Sequence, residues 1–171
     1  TSATVKYFAV LPAAWSTGGN LGTARNSLGG AGTQTAALGF GGSPGTGVTE
    51  EYNGSSWTAG GSMGTGRNQL AGCGTQTAGL AVGGSTPPPA SNLTEEYNGT
   101  SWTNGGTLVT ARQALAGAGT QTAGLAFGGS VPPYTAATEQ YDGSSWTNTS
   151  AMNTARNSLA GAGLQPAALA F

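Results

Sequence analysis

The chain has 171 residues, a formal net charge of -1, no histidine, a single cysteine and 32 glycines. With so few lysines and arginines, the sequence argues against a nucleic-acid partner, because such binding depends on basic side chains that neutralise phosphates. It contains no run of 18 apolar residues, so it predicts no membrane insertion.

Taken in chain order, the first segment predicts two strands, one around Tyr7 and one around Trp15. From Arg25 onward the chain predicts units of four short strands. Each unit has an inner strand of small residues such as "AGAG", an apolar strand such as "TAGLAFGG", and an outer hairpin such as "TEEYNGSSW". The hairpin's Asn-Gly or Asp-Gly pair predicts a turn with positive φ at both residues. Glycine is too frequent in the apolar segments for helices.

Four residue types recur with the same spacing along the whole chain. The tryptophans stand at intervals of 42, 45 and 44 residues, and the arginines, glutamines and strand-ending apolar residues repeat those intervals. The members of the first two rows are Trp15, Trp57, Trp102 and Trp146, and Arg25, Arg67, Arg112 and Arg156. Such a period predicts a repeat fold, in which one four-stranded unit buries its faces against the next.

All variation in repeat length falls between a Gly-Gly pair and the following tyrosine. The variable stretches read "SPGTGV", "STPPPASNL" and "SVPPYTAA". Because they are rich in turn-forming residues, while the frame around them barely changes, they are predicted to be surface loops.

The order of these residues resembles the kelch repeat. An arginine, an apolar strand ending in Gly-Gly, a variable loop, an acidic residue before tyrosine, a turn and a tryptophan follow one another over nearly the whole chain. The resemblance implies an all-β fold, a single four-bladed kelch-like β-propeller domain over residues 1–171. Its fourth blade is expected to combine strands from the amino end with strands from the carboxyl end, which would remove open sheet edges.

Two other assemblies stay open at this point. A second copy of the chain could contribute to a larger ring, or the four units could belong to a longer array. A closed ring of so few blades needs small side chains near its axis, and Ala31, Cys73, Ala118 and Ala162 share one position on the inner strand. Cys73 is therefore predicted to be a core residue rather than a nucleophile.

The sequence offers no catalytic site. Without histidine, Ser-His and Cys-His relays and imidazole metal ligation are excluded, so no cofactor or metal is expected. The adjacent carboxylates of Glu50 and Glu51 alternate between strand faces and cannot act on one bond. One of each such pair is predicted to be solvated and the other to pair with the repeat arginine.

The arginine row is the main candidate for a ligand site, because a ring would gather Arg25, Arg67, Arg112 and Arg156 at one mouth of its channel. The first interpretation is structural: Glu51, Glu96 and Glu139 neutralise them. The second is an anionic ligand, since kelch adaptors use similarly placed arginines. Tyr134, in a variable loop and outside every repeat row, is a further candidate for ligand contact. The tryptophans are predicted to pack between blades.

The composition, rich in Gly, Ser, Thr, Asn and Ala and almost without lysine, favours a non-enzymatic binding or structural module. The expectation is a virion component such as a tail or head fibre, or an extracellular surface protein that contacts a host glycan or protein and assembles with other virion or surface proteins. The alternative is a kelch-type interaction adaptor that binds an acidic peptide at the arginine-lined mouth.

Overall fold

The computed structural model describes residues 17–86 and 88–171, which form fourteen short β-strands. Three four-stranded antiparallel sheets follow one another along the chain, and a two-stranded sheet comes last. The first sheet contains β1 (Gly29–Thr33), β2 (Ala36–Phe40), β3 (Thr49–Tyr52) and β4 (Trp57–Ala59). The second contains β5 (Ala71–Thr75), β6 (Ala78–Val82), β7 (Thr94–Tyr97) and β8 (Trp102–Asn104). The third contains β9 (Ala116–Gly119), β10 (Gly124–Phe127), β11 (Thr138–Tyr141) and β12 (Trp146–Thr149), and the last contains β13 (Gly161–Leu164) and β14 (Ala167–Ala170).

Each sheet is a meander in which sequence neighbours pair. Equivalent pairs recur in register: Phe40 lies opposite Thr49 in the first sheet and Val82 opposite Thr94 in the second. The variable loops connect the second and third strands of each complete sheet, where the length variation of the sequence predicted them. The fold class is therefore all-β, with repeated antiparallel sheets.

The outer hairpin differs from the predicted two-residue turn. Tyr52 pairs with Trp57, so the turn has four residues, and only Gly54 has positive φ, at 94°. The Asn53 side-chain oxygen accepts hydrogen bonds from the backbone N–H groups of Ser55 and Ser56 at 3.0 and 2.9 Å. Because this Asx geometry closes the turn without a left-handed asparagine, the predicted positive φ at Asn53 is wrong.

The sheets pack against one another in chain order through their first strands, β1 on β5, β5 on β9 and β9 on β13. Apolar side chains fill the space between them. Between the first and second sheets the core consists of Leu38, Phe40, Met63, Leu70, Ala81 and Tyr97. Cys73 is buried in the next core, as predicted, and burial raises the pKa of its thiol to about 12. A thiol so placed is a poor nucleophile.

The fourth unit contributes two strands to the described residues, and both are exposed along most of their length. The strands predicted around Tyr7 and Trp15 lie outside the described residues. In the part of the chain that the structure describes, the four sheets therefore do not close into a ring. That part also contains no helix long and apolar enough to span a membrane.

Candidate functional site

A buried ion pair stands at the same place in each complete sheet. The guanidinium of Arg67 donates to Glu95 Oε1 at 2.9 Å, and that of Arg112 donates to Glu139 Oε1 at 2.8 Å. In the first sheet Arg25 Nη1 lies 3.2 Å from Glu50 Oε1. Arg67 and Arg112 have no exposed surface. Burial lowers the pKa of both guanidinium groups, and the nearby carboxylate opposes that shift.

The same carboxylates also hold the backbone that enters the inner strand. Glu95 accepts hydrogen bonds from the N–H groups of Gly64 at 2.6 Å and Thr65 at 3.3 Å. Arg67 Nη1 donates to the carbonyl oxygens of Gly83 at 2.9 Å and Leu93 at 2.6 Å. One ion pair therefore joins the segment before the inner strand to both ends of the variable loop. A pair with so many hydrogen bonds can offset the cost of burying two charges.

These contacts show which glutamates form ion pairs with the repeat arginines. The predicted pairing of Glu139 is confirmed, whereas the predicted partners Glu51 and Glu96 are wrong. Because neighbouring side chains on a strand point to opposite faces, the first glutamate of "TEEY" meets the arginine of its own sheet and the second faces the next sheet. Glu51 accepts a hydrogen bond from the hydroxyl of Tyr97 at 2.5 Å, and Glu96 accepts one from Tyr141 at 2.6 Å.

The hydroxyls of Tyr97 and Tyr141 are expected to make the stability of the packed sheets depend on pH. Burial is the main cause that raises the pKa of Tyr97 and Tyr141 from about 10 to about 12, and the hydrogen bond to the glutamate adds to it. The contribution of these neutral hydroxyls to stability is complete below pH 10 and is lost as the pH rises from about 10 to about 12. We expect the urea midpoint to fall across that interval, and the fall to be smaller in a Tyr97→Phe, Tyr141→Phe variant. An equal fall in the variant would contradict this assignment.

Tryptophan and glutamine side chains form the other contacts between sheets. Trp102 Nε1 donates to Thr49 Oγ1 of the preceding sheet at 2.9 Å, and Trp146 donates to Thr94 at the same distance. Gln76 Nε2 donates to the carbonyl oxygens of Ala37 and Tyr52 at 3.1 and 2.6 Å. These contacts confirm that Trp102 and Trp146 pack between sheets. Trp15 lies outside the described residues.

The variable-loop side of the array contains a polar cavity of about 410 Å³. Hydroxyl and amide side chains from the first three units line it, together with a proline of the second variable loop. The lining residues are Ser27, Ser43, Asn68, Gln69, Ser85, Pro88 and Gln113. None of them carries a charge, so the cavity offers neutral donors and acceptors.

A second cavity, of about 300 Å³, adjoins the first and brings all four units together. Equivalent pairs of residues line it: Ser27 and Leu28, Gln69 and Leu70, Ala114 and Leu115, and Ser158 and Leu159. The first residue of every pair has positive φ, between 51° and 55°. Such a conformation is strained for a residue with a side chain and persists only where the surroundings impose it.

Backbone hydrogen bonds link these strained positions from unit to unit. The N–H of Gln69 donates to the carbonyl of Ser27, that of Ala114 to Gln69, and that of Ser158 to Ala114, each at 2.8 Å. The bonds link the entry segments of the four inner strands in chain order. The left-handed conformation orients each N–H toward the preceding unit, which gives the strain a structural reason.

The structure separates the predicted ligand-binding residues from one another. Arg67 and Arg112 are sealed inside their sheets and Arg25 pairs with Glu50, which corrects the picture of four guanidinium groups open at one mouth. Arg156 is exposed, and Tyr134, on the third variable loop, is 59% exposed. Ligand contact by these two residues stays a prediction.

Sequence reasoning missed the residues of the polar cavity. Asn68, Gln69 and Gln113 directly follow the arginines or lie one position further, where the four units read "NS", "NQ", "QA" and "NS". Ser43 and Ser85 directly follow the Gly-Gly pairs. In the sequence these residues are ordinary polar positions beside a loop, and no binding or catalytic motif marks them. A scan against protein-family models and a search of curated proteins both found no match for this chain.

Proposed function

We propose that this chain is a kelch-like β-propeller that acts as a non-enzymatic binding or structural module of a virion or an extracellular surface. It contacts a host glycan, or a protein, through the variable-loop side. The observation that carries the proposal is the uncharged polar cavity among the variable loops. Rigid frames that display variable loops are a common arrangement for recognition.

Backbone contacts hold the loops in place on that side. The N–H of Ser43 donates to Asn26 O at 2.9 Å, and Ser85 and Asn68 exchange N–H to carbonyl bonds at 2.8 and 3.0 Å. Gln113 and Ser130 exchange the same pair of bonds in the third unit. A ligand therefore meets a preorganised surface, which lowers the entropic cost of binding.

The lining of the cavity favours a neutral polyhydroxylated ligand. Hydroxyl and amide groups match the alternating donors and acceptors of a sugar, and they lack the positive charge that an acidic peptide requires. The adaptor alternative has one observation in its favour, the exposed guanidinium of Arg156. The two functions therefore depend on different residues.

A closed four-bladed ring is the arrangement we propose for the repeated sheets. Its support is the second cavity, of about 300 Å³, to which every unit contributes the same two positions. A row of units in a line would leave the first and the fourth far apart.

The binding proposal is tested on a glycan array with the wild-type chain and two variants. In an Asn68→Ala, Gln113→Ala variant, two hydrogen-bonding side chains are lost, and we expect at least about tenfold weaker glycan binding. Arg156→Ala is the matched control and is expected to bind as the wild type does. Glycan binding that survives the double substitution would contradict the proposed site. Acidic-peptide binding that Arg156→Ala abolishes would favour the adaptor.

The proposed location has its own test. An antibody raised against the chain should label purified virions or intact cell surfaces of the source. Label confined to the cytosolic fraction would contradict it.

A further inference from the structure

Two large apolar side chains at the carboxyl end of the array face solvent. Leu169 and Phe171 are 70% and 68% exposed. Counted from the repeat glutamine, they occupy the positions of Leu38 and Phe40 in the first unit and of Leu80 and Val82 in the second. Those four equivalents have at most 1% of their surface exposed. The fourth unit therefore presents the apolar half of an inter-sheet contact.

The complete contacts show what covers such a surface. Tyr97 and Trp102 of the second sheet pack on the core that contains Leu38 and Phe40, and the Trp102 ring lies 5.0 Å from that of Phe40. Tyr141 and Trp146 of the third sheet pack in the same way on the core of Leu80 and Val82. In each case the cover is a tyrosine–tryptophan pair from the outer hairpin of the following sheet.

The first sheet presents a pair of the same kind. The rings of Tyr52 and Trp57 lie 5.0 Å apart with a tilt of 38°, and those of Tyr97 and Trp102 lie 5.0 Å apart with a tilt of 39°. Tyr52 and Trp57 are only half-buried. The aromatic pair of the first sheet and the apolar surface of the fourth unit are thus both present, and each remains partly or largely exposed.

The second cavity shows that the first and fourth units of one chain lie close to each other. Ser27 and Leu28 of the first unit line it together with Ser158 and Leu159 of the fourth. The two units therefore adjoin the same cavity within one chain.

We propose that the face formed by Leu169 and Phe171 is the docking surface for Tyr52 and Trp57 of the same chain. This inference rests on the proposed ring and names the contacts that close it. The repeat pattern supplies two further bonds: Gln34 Nε2 donates to the carbonyl of Ala168, as Gln76 does to Ala37 at 3.1 Å. In the closed ring the N–H of Ser27 would donate to the carbonyl of Ser158, a fourth bond beside the three that link the entry segments of the inner strands.

Matched substitutions test this contact by urea unfolding followed with tryptophan fluorescence. Leu169→Asp is expected to lower the urea midpoint about as much as Leu80→Asp, its buried equivalent. Leu164→Asp is the control, because Leu164 stands where the first three units have an exposed threonine and is itself 57% exposed. If Leu169→Asp behaves like Leu164→Asp, the docking surface does not exist.

Milder variants decide the matter if the aspartate variants do not fold. Gln34→Ala should then lower the midpoint as much as Gln76→Ala, although Gln34 is exposed in the open arrangement. A midpoint for Gln34→Ala equal to that of the wild type would overturn the proposal.

Sedimentation equilibrium separates closure within a chain from assembly between chains. The wild type is expected to have the monomer mass of 16.6 kDa. Twice that mass, falling to the monomer mass in Leu169→Asp, would assign the surface to a second copy and overturn the proposal. These measurements involve no glycan, so a closed ring without glycan binding would contradict the proposed function alone.

Discussion

Replacing Glu95 with alanine is expected to lower the free energy of unfolding by about 3–5 kcal/mol, the cost of leaving one partner of a buried ion pair alone. Arg67, which has no exposed surface, would lose its carboxylate partner at 2.9 Å. The N–H groups of Gly64 and Thr65 would lose their acceptor as well. Urea unfolding at neutral pH measures the change.

Glu51, the second glutamate of the equivalent strand in the first sheet, provides the control for this substitution. Glu51 is half-buried and accepts one hydrogen bond, from Tyr97. Glu51→Ala is therefore expected to cost about 1–2 kcal/mol. Equal losses for the two alanine variants would mean that the ion pair has no special part in stability.

Replacing Trp146 with alanine is the second change with a large expected effect, about 3–5 kcal/mol of unfolding free energy. The side chain is 5% exposed, stacks on Tyr141 at 4.9 Å and donates to Thr94 of the preceding sheet. Its loss would leave a cavity in the core between the second and third sheets. Thermal and urea unfolding of the variant measure the cost.

Two smaller changes separate the packing of Trp146 from its hydrogen bond. Thr94→Val removes the acceptor and keeps the volume, so we expect a loss of about 1 kcal/mol. Trp146→Phe keeps part of the ring and should fall between Thr94→Val and Trp146→Ala. A Thr94→Val loss as large as that of Trp146→Ala would show that the hydrogen bond, and not packing, holds the sheets together.

Much of the fold could be predicted because the repeat imposes one answer on several copies. The shared intervals of tryptophan, arginine and glutamine place the four units in register, and the length variation places the loops between the second and third strands. The buried position of Cys73 followed from its row of small residues. Closure was harder to judge, because it depends on how the first and last units meet.

The local errors have a common physical cause. Glu50 and Glu51 are adjacent and chemically identical. Which of them meets Arg25 depends only on the face of the sheet to which the first side chain of the strand points. Likewise, Asn53-Gly54 suits a two-residue turn, but the hydrogen bonds that Asn53 Oδ1 accepts from the N–H groups of Ser55 and Ser56 favour a longer one. In both places tertiary or turn geometry decides between alternatives that local sequence leaves equal.

The candidate site was hidden for a different reason. The repeated arginines suggested a ligand site because basic residues are rare in this chain. The loop backbone instead covers Arg67, and the carbonyls of Gly83 and Leu93 accept its hydrogen bonds. The polar cavity consists of ordinary serine and amide side chains that meet only when the sheets are stacked. No residue type at those positions is diagnostic of a binding site.

The repeated arginine and glutamate form a structural pair inside each complete sheet. The most direct measurement is a double-mutant cycle with Arg67→Met, Glu95→Leu and the combined variant, followed by urea unfolding. We expect a coupling of about 2–3 kcal/mol, with the double variant more stable than the sum of the two single losses predicts. Losses that add to within about 0.5 kcal/mol would contradict it.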